Sequence, residues 1–282
     1  MKIVIIYVVV HSCCKYLFCE GGNMSFSSIE YAIFLPIIFM FFWGMPVQKY
    51  KKTILLIANL VFYFLVGWKF FVWLIYVVIF TFLFTRNTKI KLPVEVLIVL
   101  LPLIVFKQIS YFGVSFNMGQ NDVEKIILPI GLSFYTFSAL AYIIDVNKGN
   151  VNKYSFLDLA TGLTFFPCLV AGPIERQEQL IPQIINNKRF DYIEATYGLK
   201  RIALGYFKKI VVADNIAVHI DQVYNNLSDI KGMALLLAAL GYSIQIYADF
   251  SGYTDIAIGT AKLFGVNLTE NFNLPYFSKS IK

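Results

Sequence analysis

The chain is 282 residues long, with 58% hydrophobic and 17% aromatic residues against only 15% charged. A water-soluble domain of this size carries charge on roughly a quarter of its residues, so composition excludes an ordinary soluble domain and points to a polytopic membrane protein. The formal net charge of +7 is no argument for nucleic acid, because the lysines sit in connectors between apolar runs, where lipid headgroups meet them.

Residues 1–23 differ in texture from the rest. Lys2, the apolar run Ile3 to Val10 and the cluster Cys13, Cys14 and Cys19 have features of a leader. Val10-His11-Ser12-Cys13 is a poor lipobox, however, and the preferred reading is a mis-assigned start with Met24 as initiator. With Cys168 alone in an apolar run and no CxxC or Cys/His ligand spacing, neither a zinc site nor a disulfide framework is expected.

Four apolar spans follow, at about 29–45, 53–67, 70–84 and 93–106. Lys49, Lys51 and Lys52 follow the first, and Arg86, Lys89 and Lys91 the third, whereas the second connector carries Lys69 alone. The positive-inside bias therefore puts the first and third connectors in the cytoplasm, and Tyr111 to Asp122 on the other side. Beyond Lys125 the apolar runs acquire polar residues, glycine and proline: Ile126 to Ile144, Leu157 to Gly172, and Ala234 to Phe264 with Gln245, Asp249, Ser251, Thr254 and Asp255. Polar or irregular backbone at membrane depth persists only against protein or a water-filled cavity, so the early spans read as lipid-facing wall and the later ones as a lining. Between them, Lys200, Arg201, Lys208 and Lys209 share one half of a helical wheel, with Leu199, Ile202, Tyr206, Phe207 and Ile210 on the other, which predicts an amphipathic helix at the headgroup boundary.

Three local features bear on chemistry. Gly172-Pro173 forces a turn before Glu175 and Arg176, which suit either a capped helix end or an anionic ligand; local chemistry favours the cap. Asp249 and Asp255 lie in an apolar segment and are about 600° apart on a continuous helix, so they face different directions unless Gly252 breaks it. A carboxylate at mid-bilayer costs on the order of 3 kcal/mol on insertion scales, so these two are paired, hydrated or functional; a hydrogen-bonded kink and a substrate contact both satisfy that. His219 stands alone and reads as a helix-end residue rather than a base. There is no Ser/His/Asp set, Walker loop or dinucleotide fingerprint.

Four blocks carry a family resemblance: Leu128 to Gly149, Phe165 to Arg176, Gly198 to Ala217 and Tyr247 to Ile281. Together they resemble the membrane-bound O-acyltransferase family, most closely its alginate O-acetyltransferase branch, in the family's order from about residue 24 to the end. The resemblance implies an all-α polytopic membrane bundle, with residues 24–282 as the N-terminal portion of a single membrane domain that is incomplete at the C-terminus. It implies an O-acetyltransferase that moves acetyl groups to hydroxyls of an exported polysaccharide such as alginate, in the inner or plasma membrane, with partner acetylation proteins and surrounding lipid. No bound cofactor or metal is implied. Acetyl-CoA or carrier-bound acetyl is the donor, as a substrate. The family's general-base histidine is expected beyond Lys282, so no catalytic residue is assigned and the 282 residues are expected to be inactive alone. Asp249, Ser251, Tyr253 and Asp255 are the expected tunnel wall, with Glu175 and Arg176 at a mouth. D-alanyl transfer to teichoic acid by a related branch, and a transporter or scaffold without transfer chemistry, are the competing readings.

Overall fold

Serine and aspartate caps set the first turn of several helices. The structure, a computed structural model, describes residues 25–86, 90–115, 129–170, 172–186, 189–226, 232–273 and 275–278. Residues 1–23, and with them the reading of a leader or mis-assigned start, lie outside the described residues. All regular structure among the described residues is helical. The elements form two units, residues 1–170 with 174–187, and residues 171–173 with 188–282.

The first unit begins with α1 (Ile29–Gly44), whose cap Ser28 accepts from the Tyr31 amide. Then follow α2 (Gln48–Val66), α3 (Trp68–Arg86), α4 (Leu92–Ser115) and α5 (Leu132–Asn147). These helices match the four apolar runs and most of the fifth. Their outer surface is apolar: Ile33, Met40, Phe64, Val72 and Leu97 are exposed, while Asn59, Thr81, Lys51 and Glu95 are buried. That polarity inverts the arrangement of a soluble bundle and suits lipid as solvent. Among the described residues, α3 and the later helix Gly232–Leu263 are long and apolar enough to cross a bilayer, and α1 is apolar but shorter.

The core of this unit joins Leu74 and Val77 of α3, Val99 and Leu103 of α4, and Tyr135, Ala139 and Ile143 of α5. Buried polar groups find fixed partners within it. Tyr63 donates to the Ile130 carbonyl at 2.8 Å, and Asn147 donates to the Glu95 carboxylate at 3.0 Å.

After α5 the chain makes a hairpin of short helices: α6 (Phe156–Leu163), α7 (Phe166–Leu169) and α8 (Gln177–Ile185). Its entry is tied to the start of α2 by Lys52 and Asp158, 2.5 Å apart. Ser155 caps α6 by accepting from the Asp158 amide. Deeper in, the Asn59 amide donates to the Thr161 carbonyl and to Thr164, and its Oδ1 accepts from the Phe166 amide. Leu169 then reaches Gly131, at the start of α5. Gly131 has φ +75°, and a Cβ there would lie 2.2 Å from the Leu169 carbonyl oxygen, so only glycine fits. On the way back Ser138 donates to the Glu175 carbonyl at 3.1 Å, and Gln48 donates to the Asn186 carbonyl at 2.9 Å. Both ends of the hairpin thus meet the start of α2, whereas its tip lies near Gly131 at the start of α5. The apolar run beginning at Leu157 is therefore not a simple span, because two helix breaks fold it back.

The second unit comprises α9 (Tyr192–Tyr206), a π-helical stretch (Phe207–Asp214), α10 (Asn215–Asn225), α11 (Gly232–Leu263) and a short 3-10 turn (Pro275–Phe277). Asp191 caps α9 through the amides of Ile193 and Glu194. Gly252 does not break α11, which runs unbroken past it for 32 residues in all. Instead, α9 and α11 cross with backbones in contact. A Cβ on Gly205 would lie 2.6 Å from the Gly252 carbonyl oxygen, and one on Gly198 would lie 2.7 Å from that of Gly259. The chain after α11 returns along it: Phe272 packs edge-on against Phe250 and Tyr247, and Tyr276 donates to the Ser243 carbonyl at 2.6 Å.

Two predictions follow from these contacts. Single cysteines at Ser155 and Asn186, probed in sealed vesicles with a membrane-impermeant maleimide, should label from the same side, that of Gln48. Gly205→Val or Gly259→Ala should destabilise the purified chain by about 1–3 kcal/mol in thermal unfolding. Gly232→Ala, where an added Cβ meets nothing within 4 Å, should leave the melting temperature unchanged.

Candidate functional site

The carboxylates singled out in the sequence sit on either side of the glycine contact. Three residues separate Gly252 from Asp249 in one direction and from Asp255 in the other, which places each about 60° from the glycine on the helical circumference. Both are buried, with relative exposures of 7% and 3%. Asp255 receives Arg201 Nε at 2.6 Å and Lys208 Nζ at 2.6 Å. Arg201 extends further, from Nη2 to Glu270 at 2.5 Å. Asp249 meets Lys209 Nζ at 2.7 Å, and the same ammonium reaches Asp214 at 2.8 Å and lies 5.9 Å from the centre of the Tyr253 ring.

Lys208 and Lys209 are consecutive, yet they serve carboxylates on opposite flanks of Gly252. They lie in the π-helical stretch, where i→i+5 bonding widens the turn, a geometry frequent at functional sites. The basic half of the predicted amphipathic helix is thus turned partly inward: Arg201, Lys208 and Lys209 all engage α11, while Leu199, Leu204, Phe207 and Ile210 are exposed. In an apolar medium this inversion follows, because an isoleucine facing lipid costs nothing whereas a cation facing lipid without a carboxylate is expensive.

Ser251 and Tyr253 are buried on the same helix, and Ser251 Oγ has no hydrogen-bond partner among the described residues. Glu175 and Arg176 belong to the first unit and diverge from one another. Glu175 is buried and its carbonyl is held by Ser138; Arg176 is exposed, with Nη1 3.8 Å from Asp145. Gln177 lies under them, donating to Ser138 at 2.8 Å. His219 is exposed on α10, away from the ion pairs on α11. At the far end of α11, Lys262 joins Glu194 at 2.6 Å and sits 4.9 Å from the Tyr197 ring centre, lining an open groove of about 370 Å³ with Asn267, Leu268 and Glu270. No group of three or more His, Cys, Asp or Glu side chains converges on a metal position among the described residues.

Sequence reasoning singled out both aspartates but none of their cations as site residues. A signal was present: Arg201, Lys208 and Lys209 are the basic residues of a glycine-bearing segment, and Gly198 and Gly205 repeat the seven-residue spacing of Gly252 and Gly259.

The geometry defines a class. This is a helical protein with an apolar exterior, membrane-length helices and charge pairs enclosed between its helices. No family model matches the chain. Curated relatives do. It is 35% identical over 276 residues to the "Probable alginate O-acetylase AlgI" of Pseudomonas aeruginosa, covering 90% of this chain and 52% of the relative. It is 32% identical over 207 residues to the peptidoglycan O-acetyltransferase of Helicobacter pylori, covering 63% and 39%. It is 28% identical over 168 residues to the teichoic acid D-alanyltransferase of Bacillus subtilis, covering 58% and 42%. The chain belongs to the membrane-bound O-acyltransferase family. It spans about half the length of the curated relatives it matches.

Removing one partner of a buried ion pair leaves a bare charge and costs about 3–5 kcal/mol, whereas replacing both by apolar residues is far milder. Asp249→Leu and Lys209→Met should each lower the melting temperature of the purified chain markedly. The double variant should melt closer to the parent than either single one. Additive losses in thermal unfolding would show that the two groups do not act as a pair.

Proposed function

We propose that the protein of which this chain is a part is a multi-pass acyltransferase of the inner or plasma membrane that transfers acetyl groups to hydroxyls of an exported polysaccharide such as alginate. The observation that carries this reading is the 35% identity over 90% of the chain to an alginate O-acetylase. D-alanyl transfer to teichoic acid is less well supported, because that relative is matched at lower identity over a smaller share of the chain.

In this reading Asp249, Ser251, Tyr253 and Asp255 border the reaction chamber, and Glu175 and Arg176 border an entrance. The donor is acetyl-CoA or a carrier-bound acetyl thioester, and partner acetylation proteins hand over or receive the polymer. In the reaction the acceptor oxygen forms a bond to the acetyl carbonyl carbon, the thioester C–S bond breaks, and the hydroxyl proton ends on the departing thiolate by way of a base. Asp249 and Asp255 are poor choices for that base, since each is already held by cations at 2.6–2.7 Å. Their contribution is a fixed, charge-balanced wall that keeps polar groups oriented where water is scarce.

Membrane vesicles from cells expressing the whole gene, supplied with radiolabelled acetyl donor and unacetylated polymannuronate, should incorporate alkali-labile acetyl into polymer. Label entering from activated D-alanine instead, or no label at all, would refute the proposal. Asp255→Asn should reduce incorporation at least about tenfold, by leaving Lys208 without its carboxylate and Arg201 with Glu270 alone beside the chamber.

A further inference from the structure

Oε1 of Gln245 and Oγ of Ser251 are buried oxygens of α11 without a hydrogen-bond partner among the described residues, whereas the Asp249 carboxylate on the same helix is met by Lys209 at 2.7 Å. A hydroxyl rotates to suit a neighbour, but an amide carbonyl needs a donor brought to it, and buried polar groups are rarely left without one.

Gln245 is one turn beyond Gly241 and Tyr242 and one turn before Asp249. Gly241 seats α10, with an added Cβ falling 3.4 Å from Ile220 Cδ1. Tyr242 meets the Tyr224 ring of α10 edge-on at 6.1 Å. On the other side Asp249 is closed off by Lys209. Gln245 therefore falls on the face of α11 that Gly241 and Tyr242 turn toward α10, one turn before the Asp249–Lys209 ion pair. This cover is thin. Ile220 is the single buried residue of α10, while Val218 and His219 are exposed. Elements with so few buried contacts open at low free-energy cost. The π-helical stretch leading into α10 supplies a turn that can re-register toward α-geometry.

We propose that Gln245 binds the acceptor of the transfer reaction, exposed to it when α10 lifts from α11. The chemistry suits a sugar. A side-chain amide presents an acceptor and a donor side by side, so one hydroxyl of a vicinal pair donates to Oε1 and its neighbour accepts from Nε2. The ligand supplies the donor that the closed fold withholds, and a bare acyl chain does not. This inference rests on the acyl-transfer reading and deepens it by assigning the acceptor a place on α11 and a route past α10.

The test uses the whole acyltransferase in membrane vesicles. Gln245→Met should raise KM for the polysaccharide acceptor about tenfold, the loss of one or two hydrogen bonds. Donor hydrolysis without acceptor should stay within about twofold of the parent, and the melting temperature should be equal or higher, because the substitution removes an unpaired buried group. An unchanged KM, an equal fall in hydrolysis and transfer, or a lowered melting temperature would make Gln245 structural and overturn the proposal. A disulfide between Ile220→Cys and Gly241→Cys tests the route. Oxidation should abolish transfer to polysaccharide but spare donor hydrolysis, and reduction should restore transfer. Transfer at the parent rate in the oxidised form would show that α10 need not move. A parent enzyme with no acetyl transfer would overturn the acyl-transfer reading itself, and this inference with it.

Discussion

Two helical backbones in direct contact dictate the rest of the second unit. Gly198 and Gly205 on α9 lie against Gly259 and Gly252 on α11, closely enough that no Cβ fits between them. Lipid gives apolar side chains no reason to prefer one another, so helices in a bilayer associate through close packing of small residues and through polar groups that have nowhere better to go. This crossing uses both. The seven-residue spacing of the glycines in each helix keeps the contact on one face over two turns, and the distance it enforces is what lets Arg201, Lys208 and Lys209 reach carboxylates on the opposing helix at 2.6–2.7 Å. The ion pairs in turn fix rotation, since sliding either helix by a residue would strand a charge. Packing sets the distance and charge sets the register.

The first unit solves the same problem mainly with hydrogen bonds. Its hairpin contributes main-chain groups that no helix satisfies, at the ends of α6 and α7, and Asn59 answers two of them from α2, the Thr161 carbonyl and the Phe166 amide, while also donating to the Thr164 hydroxyl. On the return Ser138 donates to the Glu175 carbonyl and itself accepts from the Gln177 amide. Irregular backbone is tolerated at membrane depth only under such cover. Lys52 meets Asp158 at the entry of the hairpin, and Gln48 closes the end of α8.

How legible this was depends on where the information sits along the chain. The helices Ile29–Gly44, Gln48–Val66 and Trp68–Arg86 could be read from apolar runs and the lysines between them, because lipid demands a long local signal. The hairpin could not, because its defining ties join residues about a hundred positions apart, such as Asn59 with Phe166. Gly252 read as a helix breaker because glycine is a poor helix former in water; here its missing side chain admits another backbone, which only the partner helix reveals. The basic half of residues 199–213 read as headgroup-facing for a similar reason. A helical wheel orders side chains by direction but does not say which direction is inward. The candidate residues Asp249 and Asp255 stood out as charges where charge is costly, while the cations that answer them looked ordinary in their own segment.

The same accounting distinguishes structural from functional polarity in this family member. Asp249 and Asp255 are polar, buried and answered by the fold itself, so each is explained by α9 and its π-helical continuation without any ligand. Arg201 is likewise accounted for, spanning Asp255 and Glu270. Gln245 is not. It sits on the same helix and in the same medium, yet its carbonyl oxygen has no donor. The charges beside it on α11 are matched to within 2.8 Å, whereas Gln245 Oε1, like Ser251 Oγ, is left open. An acceptor hydroxyl that completes it gains a hydrogen bond without displacing one the protein already holds. That asymmetry favours binding over competition, and under the proposed acyl-transfer reading it would put acceptor recognition in the group left open rather than in those already paired.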